Sequence, residues 1–461
     1  MKTSSDYHNL LTRILSNNLF KVFIFAISIK IIVFILALDW YGKDEFYYIS
    51  RGLLLAQGLT PYADFQYSYP PGLLVITAIP HLIIQNAYLL MRLITATTDA
   101  LNACLIYLLA SRLYSKRAAF ISSILYILSL GSLRASANTM SEPYIVFFIL
   151  LGFYLMDKKR IFLSSIMFAL CMWIKMWTFL FWMPPLLYRI YKKDVGWKIL
   201  AYILFVCVIL FSPLLFVYDD FMLDQRYYYS FHEVTVEGGL MLKFLSIVTY
   251  SMVYQTAILL ILGVYYIIRE KVKFSVNYLH MWFLTTLAFI GSRYFFPDHH
   301  ILLTLPPVCI LSSVAIAYYL KPIKRDIYAA MIVGVISLIW MTPFVNLSNP
   351  LGFLAYQRTS IDSTVDYLKT NIQEDELILQ DFPFYSYLSG LDDVTKTGWH
   401  YSYELFTVDD ISEIIESSKP AFIVVSCEYC YPEGTVDFFN GNYCKIDLGF
   451  QGYPIIYKTG L

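Results

Sequence analysis

The stretch Asp39-Trp-Tyr-Gly-Lys-Asp44-Glu45-Phe-Tyr-Tyr48, with the loop that closes at Tyr69-Pro-Pro71, decides how the rest of the chain is read. It follows an apolar run from Leu19 to Leu38. That run meets the ~20 residues a helix needs to span a bilayer and lacks a small-residue cleavage site, so it reads as a signal anchor. Two adjacent carboxylates, Asp44 and Glu45, thus stand just past an expected membrane exit. Charge so close to hydrocarbon is expensive, and acidic residues there count as functional by default. A solvated pair that merely starts the following helix is the structural alternative, since Asp-Glu before Phe-Tyr-Tyr-Ile is an acceptable helix start. The membrane context favours function. Asp44 is expected to face the site, and Glu45 to orient it or lie in solvent.

Composition supports a membrane setting for the whole chain. Of 461 residues 58% are hydrophobic and 15% charged, against about 25% charged in an ordinary soluble domain; the mean hydropathy is +0.58. The 34 basic and 34 acidic residues cancel, so no nucleic-acid footprint is expected. The 40 Tyr and 34 Phe suit an interfacial aromatic belt, and sugar-stacking platforms would use the same residues.

Further apolar runs lie near 88–110, 118–133, 141–156, 161–176, 177–190, 198–217, 241–268, 278–292, 300–320 and 327–345. With the first they predict about eleven transmembrane helices. The segment 72–86, with Pro80 and His81, is short and is expected to lie in or against the outer leaflet. Basic residues then fall in alternate loops: Arg112, Lys116 and Arg117; Lys158, Lys159 and Arg160; Arg189, Lys192 and Lys193; Arg269, Lys271 and Lys273. Positive residues stay cytoplasmic, which places the N-terminus inside and the carboxylate loop outside.

From about Asn346 the pattern changes: helices are predicted at 360–370 and 408–417, and strands at 376–380, 421–426 and 453–458. The expected fold class is a polytopic α-helical membrane protein with a small C-terminal extracytoplasmic α/β domain. The division is residues 1–345, a transmembrane catalytic domain with a first outer loop at 39–87, and residues 346–461, the appended domain. Cys427, Cys430 and Cys444 do not complete a zinc set, and a disulfide in an oxidising compartment is the plainer reading. Cys104, Cys171, Cys207 and Cys309 read as packing residues, and Asn346-Leu-Ser348 is a glycosylation sequon.

On the expected outer face the loops gather charge. Glu142 sits in Asn138-Thr-Met-Ser-Glu142-Pro143; the loop 218–240 carries Asp219, Asp220, Asp224, Arg226, His232, Glu233 and Glu237; and Arg293 precedes Asp298-His299-His300. A first-turn Glu142 would also suit the helix dipole without any further role. Arg293 with His299 and His300 suits capture of a phosphate; a divalent metal held by the His pair with Asp44 or Glu142 is the open alternative. Lys175, a cation in an apolar run, either snorkels to the interface or meets the same phosphate.

Asp44-Glu-x-x-Tyr-x-x-x-Arg51, Gly58-x-x-Pro-Tyr62-x-Asp64-Phe and Tyr69-Pro-Pro71 together resemble the GT-C superfamily of membrane glycosyltransferases, most of all its protein O-mannosyltransferase and aminoarabinose-transferase type. The resemblance implies a catalytic acid at Asp44, with Glu45 beside it, and a second acidic position at Glu142, where many members carry Asp. It further implies substrate contacts from Tyr62, Asp64 and Tyr69, and a late span at Arg293 to His300 that approaches a lipid phosphate. The implied donor is a polyprenyl- or dolichyl-phosphate sugar, with mannose the habit of the family, and the acceptor a hydroxyl on protein, lipid or glycan. No Gly-rich nucleotide cradle stands in the way of a lipid-borne donor. A flippase for lipid-linked glycans and a non-catalytic membrane scaffold of a glycosylation pathway are the alternatives. Transporters tend to place ionisable groups near the bilayer midplane, whereas here they gather at one boundary.

Overall fold

A computed structural model describes residues 18–84, 86–136, 138–223, 277–292, 298–320, 322–323, 328, 331–335, 355–373, 376–380, 384–391, 408–426, 434–446, 448 and 454–459. The chain divides into two compact units. One comprises Met1–Leu36, Arg92–Leu210 and Val236–Pro350; the other comprises Ala37–Met91, Phe211–Thr235 and Leu351–Leu461. The first loop therefore belongs to the same unit as the C-terminal segment. The expected spans at 241–268 and 327–345 lie wholly or largely outside the described residues, as do Cys427, Cys430 and the Asn346 sequon.

The first unit is helical. Its described elements are α1 (Asn18–Leu36), α4 (Tyr88–Leu113, of which Tyr88–Met91 fall in the other unit), α5 (Lys116–Ile127), α6 (Leu130–Ser136), α7 (Glu142–Asp157), α8 (Ile161–Ile174), α9 (Phe179–Tyr191), α10 (Lys198–Phe211), α11 (Tyr278–Ser292) and α12 (Leu305–Tyr319). Among the described residues Asn18–Leu36, Tyr88–Leu113 and Lys198–Leu223 are long and apolar enough to cross a membrane, and Ile161–Ile174 and Leu305–Tyr319 are shorter apolar helices.

Two of the expected runs are interrupted. The run 118–133 breaks after Ile127, where the Ser129 hydroxyl accepts the Ser132 N–H and starts α6. The runs 161–176 and 177–190 meet at Lys175, whose backbone is extended (φ −145°, ψ 117°). Its carbonyl is taken up by the Thr178 hydroxyl at 2.7 Å. Non-helical backbone in an apolar stretch survives only where protein groups satisfy it.

Packing in this unit centres on α7 and α8. A Cβ on Gly152 would meet the Phe168 ring at 2.8 Å, so glycine is what allows the two helices this approach. The Ser164 hydroxyl donates to the Gly152 carbonyl at 2.8 Å. Around them Phe153 stacks on Tyr278, and Phe168 on Trp182 with ring centroids 4.9 Å apart. Buried aromatic pairs of this kind are worth about 0.5–1.5 kcal/mol beyond their area.

The second unit joins the first loop to the C-terminal segment. Strand β1 (Trp40–Gly42) leads into α2 (Lys43–Ala56), which packs on α3 (Gly72–His81). A Cβ on Gly52 would meet the backbone and side chain of Thr77 within 2.8 Å, so this crossing too requires glycine. At ten residues α3 is too short to span. β1 pairs antiparallel with β2 (Ala355–Gln357), and β2 runs into α13 (Arg358–Asn371). β3 (Ile378–Gln380), β4 (Phe422–Val425), β5 (Cys444–Ile446) and β6 (Ile455–Lys458) form a four-stranded sheet of order β3-β4-β6-β5. Only β3–β4 is parallel. Helices α14 (Phe384–Ser389), α15 (Val408–Ser418) and α16 (Thr435–Asn442) accompany it. Strands β1, β2 and β5 and helices α14 and α16 go beyond the sequence reading. The strands have three residues each and the helices six and eight, too few for a period to show.

Candidate active site

In the second unit Asp44 and Glu45 occupy the first turn of α2, where negative charge is favoured by the helix dipole. They diverge sharply in environment. Asp44 is partly exposed, whereas Glu45 is fully buried and so is not the solvated residue the sequence allows. Glu45 lies close enough to Tyr387, on α14, to raise its phenol; burial is the larger cause of that upward shift, and the Ala87 N–H opposes it. The Tyr387 hydroxyl accepts from Ala87 N at 3.1 Å, and its ring packs edge-on against Phe46.

The approach to Asp44 is braced from the C-terminal segment. Arg358 N donates to the Asp39 carbonyl at 2.8 Å, and the Tyr41 hydroxyl donates to Asp362 at 2.8 Å. Arg358 bridges to Asp362 at 2.9 Å and lies over the Tyr41 ring. Burial first, and then the bond to Asp362, pushes the Tyr41 phenol well above its ordinary range.

The motif residues of the loop come together, but as a frame. The Tyr62 hydroxyl donates to the Tyr69 carbonyl at 2.8 Å, from a backbone with φ 70°. Asp64 is exposed and accepts the Thr60 N–H at 2.6 Å, closing the turn. Arg51, buried, donates to the Gln66 carbonyl at 3.1 Å and lies over Tyr47, which stacks on Tyr67. Tyr62 and Tyr67 are interior, so this aromatic cluster is a packed core.

The first unit holds a second group. Glu142 opens α7, Lys175 stands at the break after α8, and His300 lies in a 3₁₀ turn, Asp298–Leu303, before α12. Lys175 Nζ reaches Glu142 Oε1 at 2.7 Å, with the two side chains 2% and 1% exposed. Lys175 therefore does not snorkel. His300 Nε2 is 3.7 Å from the same oxygen, and the Trp177 ring packs edge-on against the imidazole at 4.9 Å. In the turn leading into Glu142, Asn138 Oδ1 and Ser141 Oγ are buried with no hydrogen-bond partner among the described residues. Arg293 lies outside the described residues, as do the side chains of Asp298 and His299.

Among the described residues no three His, Cys, Asp or Glu side chains converge. One Glu142 oxygen, Oε1, is held by the Lys175 ammonium at 2.7 Å.

Sequence reasoning passed over two further buried charge groups in this unit. Lys30 and Asp99 pair at 2.8 Å with both side chains fully buried. Asp157 meets Arg189 at 2.5 Å, the Tyr278 hydroxyl at 3.2 Å and Arg112 at 3.7 Å. The signal for Lys30 and Asp99 was present, since each is a charge inside an apolar run.

No family model matches the sequence. An uncharacterised protein of Aquifex aeolicus is 24% identical over 366 residues, spanning 76% of this chain and 83% of that one. The fold is similar to the crystal structure of ArnT from Cupriavidus metallidurans bound to undecaprenyl phosphate, with a TM-score of 0.64 at 13% identity over 95% of this chain and 97% of that one. The apo state of the same protein gives 0.63. The Archaeoglobus fulgidus oligosaccharyltransferase in complex with zinc and sulfate gives 0.51 at 12% identity, over 94% of this chain and 72% of that one. ArnT, an aminoarabinose transferase, and the oligosaccharyltransferase are both GT-C family members, and the mostly helical fold of this chain is the one they share.

Proposed function

We propose that this chain is an integral-membrane, inverting glycosyltransferase that moves a sugar from a polyprenyl- or dolichyl-phosphate carrier to a hydroxyl acceptor on the extracytoplasmic side. The observation that carries this reading is Lys175, held by Glu142 at 2.7 Å where a helix breaks, on a fold similar to ArnT. A buried ammonium is costly to maintain, and an ionisable group inside a membrane protein is a functional site by default. Undecaprenyl phosphate, the ligand of that ArnT structure, is a lipid of the class of the proposed carrier.

In the proposed reaction the acceptor oxygen attacks the anomeric carbon and forms the new glycosidic bond. Asp44, partly exposed in the first turn of α2, takes the hydroxyl proton as general base. The bond from the anomeric carbon to the phosphate oxygen breaks, and its electron pair leaves with the lipid phosphate. Lys175 and His300 stabilise that anion, while Glu142 fixes the ammonium in place. A single displacement inverts the anomeric centre. Glu45, buried against Tyr387, acts on the placement of Asp44.

The test is incubation of the purified full-length protein with radiolabelled polyprenyl-phosphate sugars, following which compound gains label. Asp44→Asn is expected to lower transfer about 10²–10⁴-fold, the usual worth of a general base, with an unchanged melting midpoint. A flippase would move the lipid without transfer, and a scaffold would be indifferent to the substitution. Either result overturns the proposal.

A further inference from the structure

The Lys30–Asp99 pair is more than an isolated bridge. Asp99 Oδ2 also accepts from the Ser132 hydroxyl at 2.6 Å, and Oδ1 from the Tyr126 hydroxyl at 2.6 Å. Lys30 Nζ reaches the Ser132 hydroxyl as well. Asn102, one turn along α4, donates to Asp99 Oδ1 at 3.4 Å and to the Pro143 carbonyl at 2.9 Å. One buried carboxylate thereby ties α1, α4, α5 and α6 together, and its neighbour Asn102 reaches the first turn of α7. That turn begins with Glu142. Helix α6, held at Ser132, packs against the 3₁₀ turn that bears His300, and so does α7.

Stability alone is a weak reason for such a pair. Replacing a buried ion pair with apolar side chains is often neutral or stabilising, whereas a polar hub fixes register. Of the elements that Asp99 ties together, α6 packs against the turn bearing His300, and α4 reaches the first turn of α7 through Asn102. At seven residues α6 is too short to be stable as an isolated helix, so its position depends on tertiary contacts such as the one at Ser132.

We infer that Lys30, Asp99 and Asn102 are positioning residues that hold the Ser141–Pro143 turn and the 298–303 turn in register, and so set the place of Glu142 and His300. The inference rests on reading that group as part of the transfer site. Its test, however, has a readout that does not depend on transfer.

Hydrogen–deuterium exchange is measured on the full-length protein in lipid nanodiscs for the wild type, Lys30→Met/Asp99→Leu, Asn102→Leu and Lys30→Arg. The charge-free double variant is expected to keep its melting midpoint within a few degrees. Its amides over 142–150 and 298–305 should exchange about tenfold faster, as expected for a lost local constraint, while those of α8 and α9 stay protected. Its turnover should fall about 10–100-fold with KM for the lipid donor little changed, since misplacement of a reacting group by about 1 Å suffices for that. Lys30→Arg, which keeps donor and charge, should retain wild-type exchange and rate. Asn102→Leu cuts the spoke to Pro143 and the longer bond to Asp99 but leaves Asp99 its bonds to Lys30, Tyr126 and Ser132; it should loosen 142–150 alone, which keeps the question open to decision if the double variant does not fold. Normal exchange over both segments in a folded double variant, or over 142–150 in Asn102→Leu, overturns the inference. A wild type that transfers no sugar from any polyprenyl-phosphate donor overturns the transfer reading instead, and the exchange results still decide the hub.

Discussion

The two ends of α7 carry one carboxylate each, and the protein treats them differently. Glu142, at the N-terminus, sits where the helix dipole favours negative charge, yet it also has a lysine at 2.7 Å and a histidine at 3.7 Å. Asp157, at the C-terminus, sits where the dipole disfavours it and is compensated by Arg189, Arg112 and the Tyr278 hydroxyl. Arg112 also donates to the Asp157 carbonyl at 2.7 Å, and thereby caps the helix. At the C-terminal end every partner answers a structural need: α4, α9 and α11 are pinned to α7. At the N-terminal end a cation was added where none was required for the helix, beside buried polar atoms of Asn138 and Ser141 that no described residue satisfies. A charge group in excess of what folding asks for is the better candidate for chemistry.

Substitutions at the two ends should separate stability from transfer. The largest expected effect is on Asp157→Asn: leaving Arg189 buried beside a neutral partner should cost about 3–5 kcal/mol of stability, read as a lower denaturation midpoint, with transfer per folded molecule unchanged. Next comes Glu142→Gln. It too leaves a buried cation, Lys175, beside a neutral partner, so the midpoint should fall by a similar amount, but here kcat per folded molecule should fall as well, by about 10²–10³-fold, the usual worth of an electrostatic contact at a reacting centre. If the two variants lose stability and transfer in the same proportion, the contrast between the ends is false.

Hydropathy made the helical fold legible from the chain alone, because helices such as Asn18–Leu36 and Tyr88–Leu113 are long, predominantly apolar runs. The junction of the runs 161–176 and 177–190 falls just past Lys175, but the extended backbone there and the break at Leu128–Ser129 were not legible. A running average of hydropathy cannot see a single extended residue or a serine cap. Glu142, Lys175 and His300 could be named one by one as charges near apolar runs, and the fold is what gathers them. Asp99 and Lys30 carried the same signal, but a pair separated by two helices has no sequence spacing to suggest it. Tyr387 carried none: an aromatic in a six-residue helix looks like any other core residue until the chain brings it beside Glu45.

A smaller effect lies midway along the same helix. Gly152→Ala should destabilise by about 1–3 kcal/mol, because the added methyl overpacks against the Phe168 ring. The loss should fall on stability and leave transfer by folded protein alone, as at the Asp157 end. The smallest expected change sharpens the contrast from outside this unit. Tyr41→Phe removes one hydrogen bond to Asp362 and should cost about 1 kcal/mol. Since that bond braces the strand before Asp44, kcat should fall more than the midpoint does; equal, negligible changes in both would show the brace to be idle.

The strand that precedes Asp44 has a consequence for biogenesis. β1 is paired with β2, and Tyr41 is bonded to a residue 321 positions further on. A nascent chain emerges N-terminus first, so the loop bearing Asp44 is delivered early, while the helix that braces Tyr41 follows only some 321 residues later. Until then the loop has neither its β-pairing nor its Asp362 contact. A ribosome-bound molecule, or one truncated before β2, is thus unfinished at this position, and the acid is set in place only once that downstream stretch has been made.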